Sequence, residues 1–134
     1  DIRQDMSLAA KSNLQKYNPD YSNVSFHIGD VSEAIPHHNV DSLILDLPEP
    51  WRIIDNAAQK LVPGGILVSF LPTILQVHNL AFTLQTHASF EMVESIEILL
   101  RPWHIAANSA RPMHRMVGHT GFLVSARRCA GSIE

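Results

Sequence analysis

Two short apolar runs constrain the fold of this chain more than anything else in it: "VDSLILDL" at residues 40–47 and "GILVSFL" at residues 65–71. Each has the length of a strand and is too continuously apolar for a strand with one wet face, so both are read as strands covered on two faces. Between them, "PWRIIDNAAQKL" has helical periodicity, with Pro50 at or near its start, where the absent N–H is not missed. "VPGG" is read as the end of that helix. Strands joined through a helix lie parallel, because parallel neighbours need a crossover connection.

The alternation continues on both sides. "DMSLAAKSNLQKYN" sets Met6, Ala9, Ala10, Asn13, Leu14 and Tyr17 at helical spacing and is closed by Asn18-Pro19. "NVSFHIGD" alternates Val24, Phe26 and Ile28 and ends in a turn, as a strand does. "TILQVHNLAFTLQTHA" is a further amphipathic helix, with Thr73 as its cap. "SFEMVESIEILLRPW" reads as one long strand, His104 to about Gly118 as an irregular loop, and "HTGFLVSARR" as the last strand. The expected class is α/β with a mostly parallel sheet. The final two strands, joined without a helix, are expected at an antiparallel edge, and residues 1–134 are read as one domain.

Composition narrows the setting. No run of about 18 apolar residues exists, which excludes a membrane-spanning helix. Cys129 has no second cysteine to pair with, so a disulfide framework is impossible and a cytoplasmic protein is expected. The chain opens on "DIRQDM" without Met, and we expect it to be the C-terminal part of something longer. Residues 1–100 hold five Lys and Arg against twelve acids, whereas the remainder holds five arginines against Glu134 alone. Such polarity suits an anionic partner at one end, or else a solvated loop and edge strand. The eight histidines, His37-His38 and His119 among them, lack metal-site spacing, and no metal is expected.

In open parallel sheets, ligands bind at the carboxyl ends of the strands. Asp30 and Asp46 end predicted strands, and Asp1 is placed at the end of a strand preceding the chain. Each could be a mere cap. Asp46 has a sharper context, because Pro48 and Pro50 lack N–H groups and hold their neighbours extended. A rigid loop of this kind, with Trp51 beside it, suits a pocket for a flat heteroaromatic ring. The alternative is a Pro-rich turn with Trp51 plugging the core.

"ILDLPEPW" resembles the D-x-P-x-P-W segment of the tRNA (adenine-58-N1)-methyltransferases, the TrmI-like family. "DIRQDMSLAAKSNL", "VSFHIGDVSEAI" and "RPMHRMVGHTGFLVSARR" are similar to further segments of that family in the same order, so the resemblance covers nearly the whole chain. It implies a Rossmann-like class I methyltransferase sheet lacking its first strands, and S-adenosyl-L-methionine as cofactor. It also implies tRNA as substrate and a homotetramer. Asp1 would take the cofactor's ribose hydroxyls, Met6 would lie near the adenosine, and Asp30 would accept from the adenine amino group with Val31 beside it. Asp46 would sit between methyl donor and target base. Pro48 and Trp51 would face the substrate, and Arg101, Arg111 and Arg115 would contact RNA phosphates. The family more often has Glu at the position of Asp1, and its glycine-rich loop has no counterpart within these 134 residues. The chain alone is therefore expected to bind the cofactor weakly or not at all. Two other readings stay open: a non-catalytic tRNA-binding subunit of the same family, and a Rossmann-like methyltransferase with a different substrate.

Overall fold

The structure, a computed structural model, describes residues 1–31, 33 and 39–130; His37 and His38 lie outside the described residues. Helix α1 (Gln4–Tyr17) ends at Asn18, as the Asn-Pro pair foretells. Strand β1 (Val40–Leu45) pairs in parallel with β2 (Leu61–Leu71), Leu43 lying opposite Leu67 and Leu45 opposite Ser69. The crossover between them is a 3₁₀ turn (Pro50–Ile53) and then α2 (Ile54–Lys60), with Pro50 at the first turn. Helix α3 (Ile74–Thr86) follows, and its cap Thr73 accepts the Gln76 N–H at 3.4 Å. Then come β3 (Phe90–Glu97), the hairpin β4 (Trp103–Ala106) and β5 (Ser109–Pro112), and β6 (Phe122–Arg128).

The four-stranded sheet has the order β1-β2-β6-β3, with β6 antiparallel to both neighbours. Strands β1, β2 and β3 therefore share one direction, and the α/β expectation stands. The position of the last strand needs correction: β6 fills the gap between β2 and β3 rather than forming an edge. The α3 crossover leaves that gap, and Val124 and Ala126, both buried, close it.

One core holds the assembly together. Leu45, Leu67, Leu71, Val124 and Ala126 of the sheet meet Ile54, Ala57 and Ala58 of α2 and Val77, Leu80 and Leu84 of α3. The opposite face of the sheet stays open: Ile44 is 80% exposed, and Ile66 and Phe70 also face outward. Cover on both faces, as the apolar runs suggest, is thus found on one face only among the described residues.

Four further expectations are corrected. "VPGG" lies inside β2, where the register jumps from Val40↔Leu61 to Ser42↔Ile66 and residues 62–65 bulge out. Gly64 takes φ +85 there, and a Cβ on Gly65 would meet the Val62 carbonyl oxygen at 2.8 Å. The helix itself stops at Lys60, its C-cap Leu61 donating to the Ala57 carbonyl. The segment read as an irregular loop contains the β4–β5 hairpin, and β3 ends at Glu97 instead of running on to Trp103. Residues 24–28 join no ladder among the described residues, although the Asp1 N–H donates to the His27 carbonyl at 3.1 Å and the Gly29 N–H to the Asp1 carbonyl at 3.0 Å. Those two bonds have the pattern of one parallel rung.

Candidate functional site: an acidic cleft at the strand ends

Leu45 is the last buried residue of β1, and the chain then turns outward along Asp46, Leu47, Pro48 and Glu49 before Pro50 is buried again. Two prolines remove backbone donors from this stretch, so it cannot extend the ladder. Its carbonyls are held from outside: the wholly buried Ser69 hydroxyl donates to the Leu45 oxygen at 3.2 Å, and Gln76 Nε2 donates to the Pro48 oxygen at 2.9 Å. Asp46 stands exposed between the two anchors.

An open cleft of about 450 Å³ lies against it, lined by Asp1, Ile2, Gly29, Asp30, Val31 and residues 43–47. All three carboxylates picked out at strand ends are thereby brought to one site. Asp1 also has a local role, since its Oδ1 accepts the Arg3 N–H at 2.9 Å just ahead of α1. Asp30 opens a turn in which its carbonyl accepts the Glu33 N–H at 3.1 Å. A smaller recess of about 170 Å³ shares Asp30, Val31 and Leu47 with the cleft and adds Pro48, Glu49 and Arg52. There Arg52 Nη1 lies 3.2 Å from Glu49 Oε2, an exposed pair that contributes little to stability.

The remaining candidates lie elsewhere. Met6, on α1, is partly exposed and does not line the cleft. Trp51 is half-buried and packs against the core, in the manner of the plug that the alternative reading describes. Arg101, Arg111 and Arg115 are exposed on and around the hairpin, with Arg101 stacked over the Trp103 ring at 5.9 Å and Arg111 opposite His104 in the β4–β5 register.

His119, at this end of the sheet, has a perturbed titration. Its Nδ1 is 2.6 Å from Glu97 Oε1 of β3, its Nε2 is 2.7 Å from the Pro72 carbonyl after β2, and its ring lies on Phe122. Both nitrogens face acceptors, so only the doubly protonated ring satisfies both. The Glu97 hydrogen bond, then the Pro72 carbonyl, holds its pKa above the ordinary 6.5 against a smaller opposing effect of desolvation. A raised folded-state pKa means that the stabilisation is complete below pH 6.5 and is lost as pH rises through the folded value. The melting temperature of His119→Gln is therefore expected to fall furthest below wild type near pH 6 and to approach it as pH rises through the folded value. A difference independent of pH would rule out the charged ring.

Ser69 and Gln76 are not legible as site residues in the sequence. Thr73 and Gln76 do form a T-x-x-Q pair, the signature of a capping box, and that signal directs attention to Gln76. Ser69 in an apolar strand gives no such sign.

A parallel β-α-β crossover, an antiparallel strand inserted beside it and an acidic cleft at the strand ends define the class as a Rossmann-like α/β fold, and solved methyltransferases share it. A SAM-dependent O-methyltransferase from Thermotoga maritima superposes with a TM-score of 0.86 at 33% identity, covering 100% of this chain and 50% of that one. The tRNA (m1A58) methyltransferase TrmI from Aquifex aeolicus gives 0.78 at 29% identity, covering 96% and 51%. In sequence, a tRNA (adenine(58)-N(1))-methyltransferase TrmI of Thermus thermophilus is 39% identical over 111 residues, which are 82% of this chain and 43% of that enzyme. The family model described as tRNA methyltransferase complex GCD14 subunit matches residues 9–109, and the chain belongs to that family. It spans about half the length of the relatives it matches.

Proposed function

We propose that the chain forms part of an enzyme that transfers a methyl group from S-adenosyl-L-methionine to N1 of adenine 58 in the T-loop of tRNA. The observation that carries this reading is the gathering of Asp1, Asp30 and Asp46 around one apolar-walled cleft beside the proline-locked loop.

The cleft fits the cofactor on chemical grounds. Ionised carboxylates only accept hydrogen bonds, so three of them repel a polyphosphate and favour a ligand rich in donors or carrying positive charge. Vicinal hydroxyls, an exocyclic amino group and a sulfonium meet that description. Asp1 would hold the hydroxyls and Asp30 the adenine amino group, with Val31 and Leu47 supplying apolar wall. When bound, the cofactor supplies a methyl group on an electrophilic sulfonium.

Adenine N1 has a free lone pair, so the chain has no need of a strong base. Its task is alignment. Asp46 accepts from the exocyclic amino group of the target base. That group becomes a better donor as positive charge develops on the ring, so the bond strengthens towards the transition state. The target base has to leave the folded tRNA to reach the cleft. Arg101, Arg111 and Arg115, all exposed, are the proposed phosphate contacts that hold the RNA meanwhile. An exposed apolar groove along Ile98, Leu99, Leu100, Met116 and Val117 supports assembly with further copies, a tetramer in this proposal. A tRNA substrate also argues for the cytoplasm, and no helix among the described residues is long and apolar enough to cross a membrane.

Incubation of a protein of the relatives' length that carries these residues, with unmodified tRNA and methyl-labelled cofactor, tests the reading. Label mapped to N1 of adenine 58 supports it. Unlabelled tRNA that is nevertheless bound makes the chain a non-catalytic subunit, and label on another acceptor moves it to a different methyltransferase.

A further inference from the structure

Asp46 touches the cleft, but what fixes it lies behind the cleft. The loop between β1 and the 3₁₀ turn contains Pro48 and runs into Pro50, and neither donates, so the carbonyls along it depend on donors from other elements. One residue before Asp46, the Leu45 carbonyl accepts from Ser69 Oγ, a side chain with no exposure at all near the C-terminal end of β2. Two residues after Asp46, the Pro48 carbonyl accepts from Gln76 Nε2, in the first turn of α3.

The direction of the Gln76 amide is set by its neighbour. Thr73 Oγ1 donates to Gln76 Oε1 at 2.7 Å, which leaves the nitrogen end for Pro48. In a usual capping box the glutamine reaches back to the N–H of the cap residue. Here the same pair closes the start of α3 and extends one bond onward to the β1 loop.

We infer that Ser69 and Gln76 are positioning residues for Asp46. They form a two-sided clamp, one jaw from the adjacent strand and one from the following helix, on the carbonyls that flank it. The consequence for rate rests on the methyl-transfer reading above; the clamp itself is a property of the loop and is measured without substrate. A carboxylate that strengthens its bond only in the transition state is sensitive to placement, and displacement by about 1 Å costs on the order of 10²-fold in rate.

Two substitutions at one position separate donor from bulk, in a protein of the relatives' length that carries these residues. Gln76→Met keeps the length of the side chain and has no donor, while Gln76→Lys keeps a donor. Amide exchange of the peptide spanning residues 44–53, free of ligand, is expected to quicken several-fold in Gln76→Met and to return towards wild type in Gln76→Lys. In the methyl-transfer assay, Gln76→Met is expected to lower kcat about 10-fold or more with KM for tRNA and cofactor unchanged, and Gln76→Lys to recover most of it. Exchange alike in wild type and Gln76→Met overturns the clamp. Quickened exchange with undiminished kcat overturns its role in positioning Asp46. Wild-type protein without methyl transfer overturns the function reading, and the exchange comparison still judges the clamp.

Discussion

Asn in place of Asp46 is expected, on the proposed function, to lower methyl transfer to tRNA by on the order of 10²-fold or more in a protein of the relatives' length that carries these residues. The substitution keeps the shape of the side chain and removes the charge. It also presents an amide whose nitrogen end repels the amino group it should accept from. Because the lost interaction grows as charge develops on the base, the loss belongs in kcat more than in KM for tRNA. Single-turnover rates at saturating cofactor and RNA provide the measurement. An Asp46→Asn variant working at the wild-type rate would end the case for methyl transfer through this carboxylate. Asp46 lines the cleft and is exposed to it, so the experiment acts on a group the ligand can reach.

The second large effect is structural. Leu67→Ala is expected to cost about 2–5 kcal/mol of folding stability, the range for a fully buried leucine whose neighbours cannot collapse into the space. Leu67 has no exposure and sits in β2 with Leu43 opposite on one side and Ala126 on the other, under the helices. Both flanking strands are held by their ladders, which limits relaxation. Ile44→Ala, on the open face of β1, is expected to cost less than about 0.5 kcal/mol in the same 134 residues. Urea midpoints of the two variants, at unchanged slope, make the comparison. Equal losses would mean that the two faces of the sheet are not unequally covered.

How much of this is written in the sequence depends on the range of the interaction. The crossover is legible because its signals are local: apolar runs of strand length, a proline at a helix start and Thr73 at another. Asp46 is legible because a strand end followed by prolines that cannot extend it is a local statement too, whereas Asp30 lines the cleft although residues 24–28, read as its strand, join no ladder among the described residues. The site of β6 is not, since insertion between β2 and β3 is decided by which gap the α3 crossover leaves. The hairpin escapes a reading of the sequence because its two-residue turn, Ala107-Asn108, lacks the glycine that usually announces one, and its strands carry Arg and His among the apolar residues. The bulge at residues 62–65 turns an apparent helix stop into the first half of a strand. Trp51 can be read either as a ring-stacking surface or as a plug, and packing alone separates those. The continuous apolar runs speak correctly of strands, but they describe a sheet covered on both faces, and these residues supply the cover for one.

Of the four strands that the described residues give the sheet, the one that completes its middle is the last to be made. During synthesis, β2 and β3 emerge with their facing edges bare, and stay so until residues 122–128 leave the ribosome. Unpaired edges of this kind template association with other chains. A nascent or shortened chain that stops before Phe122 therefore carries a slot wide enough for one foreign strand, and a nonsense codon placed just ahead of that residue does damage out of proportion to the length of strand it removes.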